Sequence, residues 1–258
     1  MFDVEGAGPP IVFVHAALGD RRMWAAQWQR FTPTNRCVRM DLAGFGDHVP
    51  PGEPFSRTEH VARLLDDQDI TGAVVVGGSM GGRVSLELAV ARPDLVSGLV
   101  LLCGALPGHD WSAQVRSIWT AEESAIAAGD LDRAVEINLA FWLDGPDRAS
   151  ARVTTAERAL VAAMVRRSME HEINAPAAPD ERMLVDSLAD RLGDVEVLTR
   201  VAWGTADVGD IEVIARRIAS GVPHATLHPI EDAAHLPSME APGEINELIA
   251  DLAGRLPQ

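Results

Sequence analysis

The chain has 258 residues, 47% of them apolar and 23% charged, which suits a folded α/β domain with a sizeable core rather than a disordered segment. Its formal net charge of −16 opposes nucleic acid and anionic membrane surfaces, both of which would repel it. It contains no lysine and no tyrosine, which excludes a Schiff-base lysine, a phosphate-loop lysine and a tyrosine general acid.

Met1 to Gly6 lacks a charged-then-apolar leader pattern, and no apolar run is long enough to span a membrane. A soluble, cytoplasmic protein is expected. Cys37 and Cys103 lie in strand-like runs and fit no metal or redox spacing, so they read as buried reduced thiols.

Pro10 to His15 is a continuous apolar run, a buried strand of the parallel type. A helical stretch with Met23, Trp24, Trp28 and Phe31 follows, then a second strand over Arg36 to Met40. Asp41 to Asp47 and the Pro50-Pro51-Gly52 cluster form a long loop. Glu59 to Leu65 is helical. Ala73 to Val76 is a strand, and Val84, Leu88 and Ala91 mark a helix that Pro93 stops. Gly98 to Cys103 is the next strand. Strands alternating with helices predict a mostly parallel sheet covered on both faces, an α/β class.

The alternation stops after Leu106-Pro107-Gly108. Val115, Ile118, Trp119 and Ile126 fit one amphipathic helix. Asp130 can cap a second, with Leu131, Ala134, Val135, Leu139 and Trp142 inward. Leu160, Val161, Met164, Val165 and Met169 fit a third. Pro176 and Pro179 separate a short fourth around Met183 to Leu188. The sequence therefore divides into a core, 1–106 and 194–258, and a helical cap over 107–193. The other reading makes these helices part of the core's own outer layer. Strands return at Val195 to Trp203 and at Ala225 to His228. A helix over Ile211 to Ile218 lies between them, and one led by Pro242 closes the chain.

The chemistry centres on Gly77-x-Ser79-x-Gly81, at the tip of a strand-to-helix turn. The glycines leave room where strand and helix backbones nearly touch, and the serine is pushed out at the helix N-terminus. A glycine-rich turn with an incidental serine is the plain alternative. A serine hydroxyl needs a base, and the base needs an orienting acid. Asp207 follows the strand ending at Trp203, and His235 follows the last strand, giving the order Ser…Asp…His. Asp210 is the rival acid.

Five motifs now stand in order: His15-Ala16-Ala17-Leu18-Gly19, Asp41-Leu42-Ala43-Gly44-Phe45-Gly46, Gly77 to Gly82, Trp203 to Asp207 and His235 to Pro242. Over nearly its whole length the chain resembles the α/β-hydrolase superfamily, and most of all its serine esterases and enol-lactonases. The resemblance implies the α/β-hydrolase fold, nucleophile Ser79, acid Asp207 and base His235. It also implies an oxyanion hole from the backbone N–H groups of Ala17 and Met80, and a structural His15. Ala16 stands where the family usually has glycine, which costs about 1–2 kcal/mol if that position needs positive φ. The antiparallel strands that often open the fold are expected to be shortened or missing.

These residues predict a serine hydrolase of small carboxylic esters or lactones, with no cofactor and no metal. Its partner is a small-molecule substrate, not nucleic acid or membrane, and its oligomeric state is open. The alternatives are a carbon–carbon bond hydrolase of diketone-type substrates, whose relatives usually show asparagine at Gly78, and a non-hydrolytic cyclase or ligand-binding protein. Trp119 and Trp142 are the candidate substrate walls of a mostly apolar pocket suited to compact neutral acyl groups. Replacing either is expected to alter KM or preference more than Ser79 labelling; tryptophans that only pack would change stability alone.

Overall fold

The computed structural model describes residues 1–147, 152–175 and 180–256. Its strands are Phe2–Glu5 (β1), Pro10–Val14 (β2), Arg36–Met40 (β3), Ala73–Gly78 (β4), Val96–Leu102 (β5), Leu198–Gly204 (β6) and Ala225–Ile230 (β7). They form one sheet in the order β1-β3-β2-β4-β5-β6-β7. β1 is antiparallel to β3, and every other pairing is parallel. The sheet therefore opens on a single antiparallel strand of four residues, shortened but not missing.

β4 lies at the centre and is buried along its whole length. Its three valines are stiff at χ1 and fit a strand covered on both faces. Val12 faces Val75 on one side, and Leu99 faces Val75 on the other.

The helices are Ala25–Phe31 (α1), Arg57–Asp67 (α2), Met80–Ala91 (α3), Ala113–Ala127 (α4), Leu131–Asn138 (α5), Thr155–Asn174 (α6), Gly209–Gly221 (α7), the short Pro237–Glu240 (α8) and Pro242–Gly254 (α9). Side-chain caps set several starts. Ser56 accepts from the Glu59 N–H, Asp130 from the Arg133 N–H, and Thr154 with Glu157 makes a reciprocal box. No helix among the described residues is long and apolar enough to cross a membrane.

β5 and β6 are hydrogen-bonded neighbours, from Gly98↔Leu198 to Leu102↔Ala202. The chain between them, 103–197, carries α4, α5 and α6 and no strand among its described residues. Three details differ from expectation. The inner face predicted to run to Trp142 ends as α5 at Asn138, and Leu139–Leu143 continues as a π turn. The predicted helix around Met183 to Leu188 does not form; only a 3-10 turn at Leu188–Asp190 does. Residues 184–185 instead donate backbone N–H groups to the buried Glu87 carboxylate on α3. An acceptor inside the core replaces the helical one for this segment. Pro176 and Pro179 lie outside the described residues.

Candidate active site

Ser79 sits between β4 and α3 at φ +49° and ψ −112°. A non-glycine residue there is strained and persists only when its surroundings hold it. Here they do. The Ser79 N–H donates to the Leu102 carbonyl at 2.8 Å, and the Ser79 carbonyl accepts from Gly82 at 2.9 Å and Ala105 at 3.0 Å. A Cβ on Gly77 would collide with the Gly81 carbonyl, and one on Gly81 with the Val14 carbonyl. The glycines thus give the strand, the helix and the loop after β2 their close approach.

His235 follows β7. Its loop is gripped by the buried Glu240 carboxylate, which accepts from the Ala234 N–H at 3.0 Å and the Leu236 N–H at 3.2 Å. The imidazole is held between Asp207 and Ser79: Nδ1 to Asp207 Oδ2 is 2.6 Å, and Nε2 to Ser79 Oγ is 2.8 Å. Asp207 Oδ1 accepts the Val208 N–H at 2.8 Å. With Nδ1–H donating to the carboxylate, Nε2 is free to accept from the serine hydroxyl. The three residues named from sequence order are therefore brought together.

Asp210 points elsewhere. Its Oδ1 accepts from His109 Nε2 at 2.9 Å and from the Ser112 N–H at 2.8 Å, tying α7 to the approach to α4. Hydrogen bonds from Ser112 and His109 outweigh burial and keep its carboxyl below its ordinary value.

Cys103 is buried and takes φ +48°, and its thiol reaches the Ala234 carbonyl at 3.6 Å. Burial, reinforced by the Asp207 charge, pushes that thiol well above its ordinary value. Its sulfur lies within 4.8 Å of ligand atoms on Asp207 and His235. The 2.6 Å gap between His235 and Asp207 is the length of a hydrogen bond. Two ligands about 2.0–2.1 Å from one ion in tetrahedral geometry stand farther apart than that. A proton fits this gap.

Ala17 and Met80 line the same cavity as Ser79, and neither backbone N–H has a hydrogen-bond partner among the described residues. Ala16 is absent from the residues with positive φ, so the alanine there carries no left-handed strain. His15 is fully buried, with Nδ1–H donating to the Ala16 carbonyl at 2.8 Å and Nε2 accepting from the Leu42 N–H at 2.8 Å. It ties the loop after β2 to the loop after β3, a structural placement.

A cavity of about 520 Å³ opens above Ser79 and His235. Ala17, Leu18, Phe45 and Met80 line it from the sheet side, and Trp111, Trp119, Trp142 and Met169 from the 103–197 chain. Both candidate walls, Trp119 and Trp142, are thus on it. Trp142 also lies against the imidazole, ring centres 4.6 Å apart. The lining is mostly apolar, as expected, and Arg57, Glu122, Asn138, Ser168 and Glu172 are its polar groups.

A family model described as the alpha/beta hydrolase family matches residues 11–248. The chain belongs to that family. It is 25% identical to a candidate carbamate hydrolase of Azorhizobium caulinodans, over 100% of this chain and 96% of that one. It is 26% identical to the 2-hydroxy-6-oxononadienedioate/2-hydroxy-6-oxononatrienedioate hydrolase of Cupriavidus pinatubonensis, over 98% of this chain and 89% of that one. Among solved structures, the enol-lactonase of Burkholderia xenovorans LB400 superposes with a TM-score of 0.77 at 20% identity, over 99% of this chain and 96% of that one.

Within this α/β hydrolase, the cavity residues that sequence reasoning missed share one property. Glu122, Asn138, Ser168 and Glu172 sit on helices, at positions that belong to no local motif. A break in the apolar face of α5 at Asn138, which is 7% exposed, is the one signal that marks an inward polar group.

Proposed function

We propose that this α/β hydrolase is a serine hydrolase of small carboxylic esters or lactones. The observation that carries the reading is the line from Ser79 Oγ to His235 Nε2 at 2.8 Å and from His235 Nδ1 to Asp207 at 2.6 Å. In this reading Ser79 Oγ attacks the acyl carbon while His235 Nε2 takes its proton. The oxygen that gains charge sits against the Ala17 and Met80 N–H groups, at the N-terminus of α3. The carbon–oxygen bond breaks, and the leaving alkoxide takes the proton from His235. Water then attacks the acyl carbon, giving its proton to His235, and His235 returns that proton to Ser79 Oγ as the carbon–Oγ bond breaks and the acid leaves. Asp207 stays ionised and stabilises the imidazolium in both halves.

The 103–197 chain acts as the cap, corresponding to the domain expected over 107–193. Trp119 and Trp142 form its substrate walls. The proposed partner is a small molecule, and a net charge of −16 supports neither nucleic acid nor an anionic membrane surface as one.

A fluorophosphonate probe tests the nucleophile, and chromogenic esters and lactones test the reaction, each beside Ser79→Ala. The expected result is one label on Ser79 and turnover lost in the variant. A label elsewhere, or unchanged turnover in Ser79→Ala, refutes the reading. Cleavage of a carbon–carbon bond is a second reading, favoured by the likeness to the oxononadienedioate hydrolase. It predicts turnover of a vinylogous diketone in the same assay.

A further inference from the structure

The cavity wall built by α4, α5 and α6 carries charge of one sign. Glu122 from α4 and Glu172 from α6 both line it. Among the described residues, the charges that act on Glu122 are those of Glu172 and Glu123, both negative. Asn138, nine-tenths buried beside it, offers an amide and no charge. Burial pushes the Glu122 carboxyl above its ordinary value and the neighbouring carboxylates add to this, while the Asn138 amide pulls the other way. A half-buried carboxylate in that setting gains free energy from any cation that reaches it.

One turn before Glu122 on the same helix, Trp119 also faces the cavity, with Trp111 edge-on to it at 5.4 Å. An indole face next to carboxylates is the chemistry that recognises an organic ammonium. A metal ion takes oxygen, imidazole or thiolate ligands and gains no bond from an indole, which an organic ammonium does use.

Among the described residues, the arginine on this cavity is engaged through its two terminal nitrogens. Arg57 pairs with Glu181, donates to the Ala43 carbonyl at 3.0 Å and lies over the Phe55 ring. It shares Glu181 with Arg83 and keeps a buried Nε without a partner among the described residues, at the end of the cavity formed by the sheet side and apart from the α4 and α6 wall.

We infer that Glu122, supported by Glu172 and Trp119, forms a cation subsite that selects esters or lactones bearing an ammonium group. The inference rests on the serine-hydrolase reading and names its substrate class. It replaces the preference for neutral acyl groups expected from an apolar pocket. It also sets this protein apart from a hydrolase of dioates, because a second carboxylate on the substrate would meet Glu122 and Glu172. The net charge of −16 adds long-range attraction for a cationic substrate at low salt.

The test pairs butyrylthiocholine with S-(3,3-dimethylbutyl) thiobutyrate, which differ by a quaternary nitrogen against a quaternary carbon. The wild type is expected to favour the cation by about tenfold in kcat/KM, the size of one partly desolvated cation–π or ion-pair contact. Glu122→Gln is expected to remove most of that ratio, Glu172→Gln part of it, and Glu122→Arg to reverse it. Melting temperatures are measured alongside. A wild-type ratio at or below one, or an equal ratio in Glu122→Gln, overturns the inference.

A separate arm needs no turnover. Tetraethylammonium is titrated against tryptophan fluorescence in Ser79→Ala and in Ser79→Ala with Glu122→Gln. About tenfold weaker binding in the double variant supports the subsite, and equal binding ends it. If Ser79 takes no fluorophosphonate and neither thioester is cleaved, the hydrolase reading falls and this titration alone decides the subsite.

Discussion

The His235 backbone N–H donates to the Trp142 carbonyl at 3.1 Å, while the Trp142 ring centre lies 4.6 Å from the imidazole. The carbonyl belongs to the π turn at Leu139–Leu143, a widened turn of the kind often found at functional sites. Trp142 therefore holds the base as well as walling the cavity. Trp142→Leu keeps the carbonyl and removes the ring. It is expected to slow fluorophosphonate labelling of Ser79 by about tenfold or more, as misplaced catalytic groups do. Trp119→Leu, farther along the cavity, is expected to raise KM and leave the labelling rate near wild type. Equal labelling rates in both variants would return Trp142 to the role of a simple wall.

Asp207→Asn is expected to keep the fold and to lower kcat by about 10⁴-fold, because an amide presents the wrong imidazole tautomer. Asp210→Asn is expected to stay active. It weakens the bonds to His109 and Ser112 and lowers stability by about 1–2 kcal/mol. Steady-state kinetics and chemical denaturation on the two variants separate the roles. An inactive Asp210→Asn beside an active Asp207→Asn would move the acid.

Glu240 is five residues beyond His235 and is 5% exposed. Glu240→Ala strips the Ala234 and Leu236 N–H groups of a buried acceptor. A loss of about 2–3 kcal/mol is expected from groups left unpaired. Slower Ser79 labelling should accompany it, since those two residues flank the base. Glu240→Gln keeps one acceptor oxygen and is expected to recover part of both. Denaturant midpoints and labelling rates measure the two effects.

Two histidines away from Ser79 set an acid limit on stability. Burial holds His15 below its ordinary value, and burial together with His48 pushes His60 down to about 4. In the unfolded chain both take up a proton below about pH 6.5, whereas in the folded chain they resist it. The unfolded state then binds more protons, so stability is complete above that pH and is lost as pH falls toward about 4. Thermal melts across that window should show a decline. His60→Gln should make it shallower. An identical slope in the variant would assign the decline to other groups.

The sheet was legible because its central strands β2, β4 and β5 are apolar runs bounded by loops or helices, and period and punctuation carry that information. Ser79, Asp207 and His235 were legible as a group because each sits where a strand ends, at one edge of the sheet. The grip of Glu240 on the His235 loop was inside a quoted motif, yet nothing in the motif says which N–H groups a carboxylate will reach. The segment at 183–188 was misread because its bonding partner, Glu87, lies about a hundred residues away and leaves no local pattern. The acidic wall was missed for the same reason. Glu122 and Glu172 lie at helix positions with no motif, and the packing of three helices over one cavity leaves Glu122 half-buried and Glu172 exposed at its edge.

β5 and β6 pair directly from Gly98↔Leu198 to Leu102↔Ala202, and the chain between them leaves and rejoins the sheet at adjacent strands. The base depends on that chain. Its main chain hangs from a carbonyl inside that stretch. A chimera that imports the whole stretch from a relative would stay active only if the donor supplied an acceptor at the place of the Trp142 carbonyl. Exchange of specificity by grafting is therefore limited by a few backbone groups, the Trp142 carbonyl, the Ala105 N–H on Ser79 and the N–H groups on Glu87, rather than by the size of the graft.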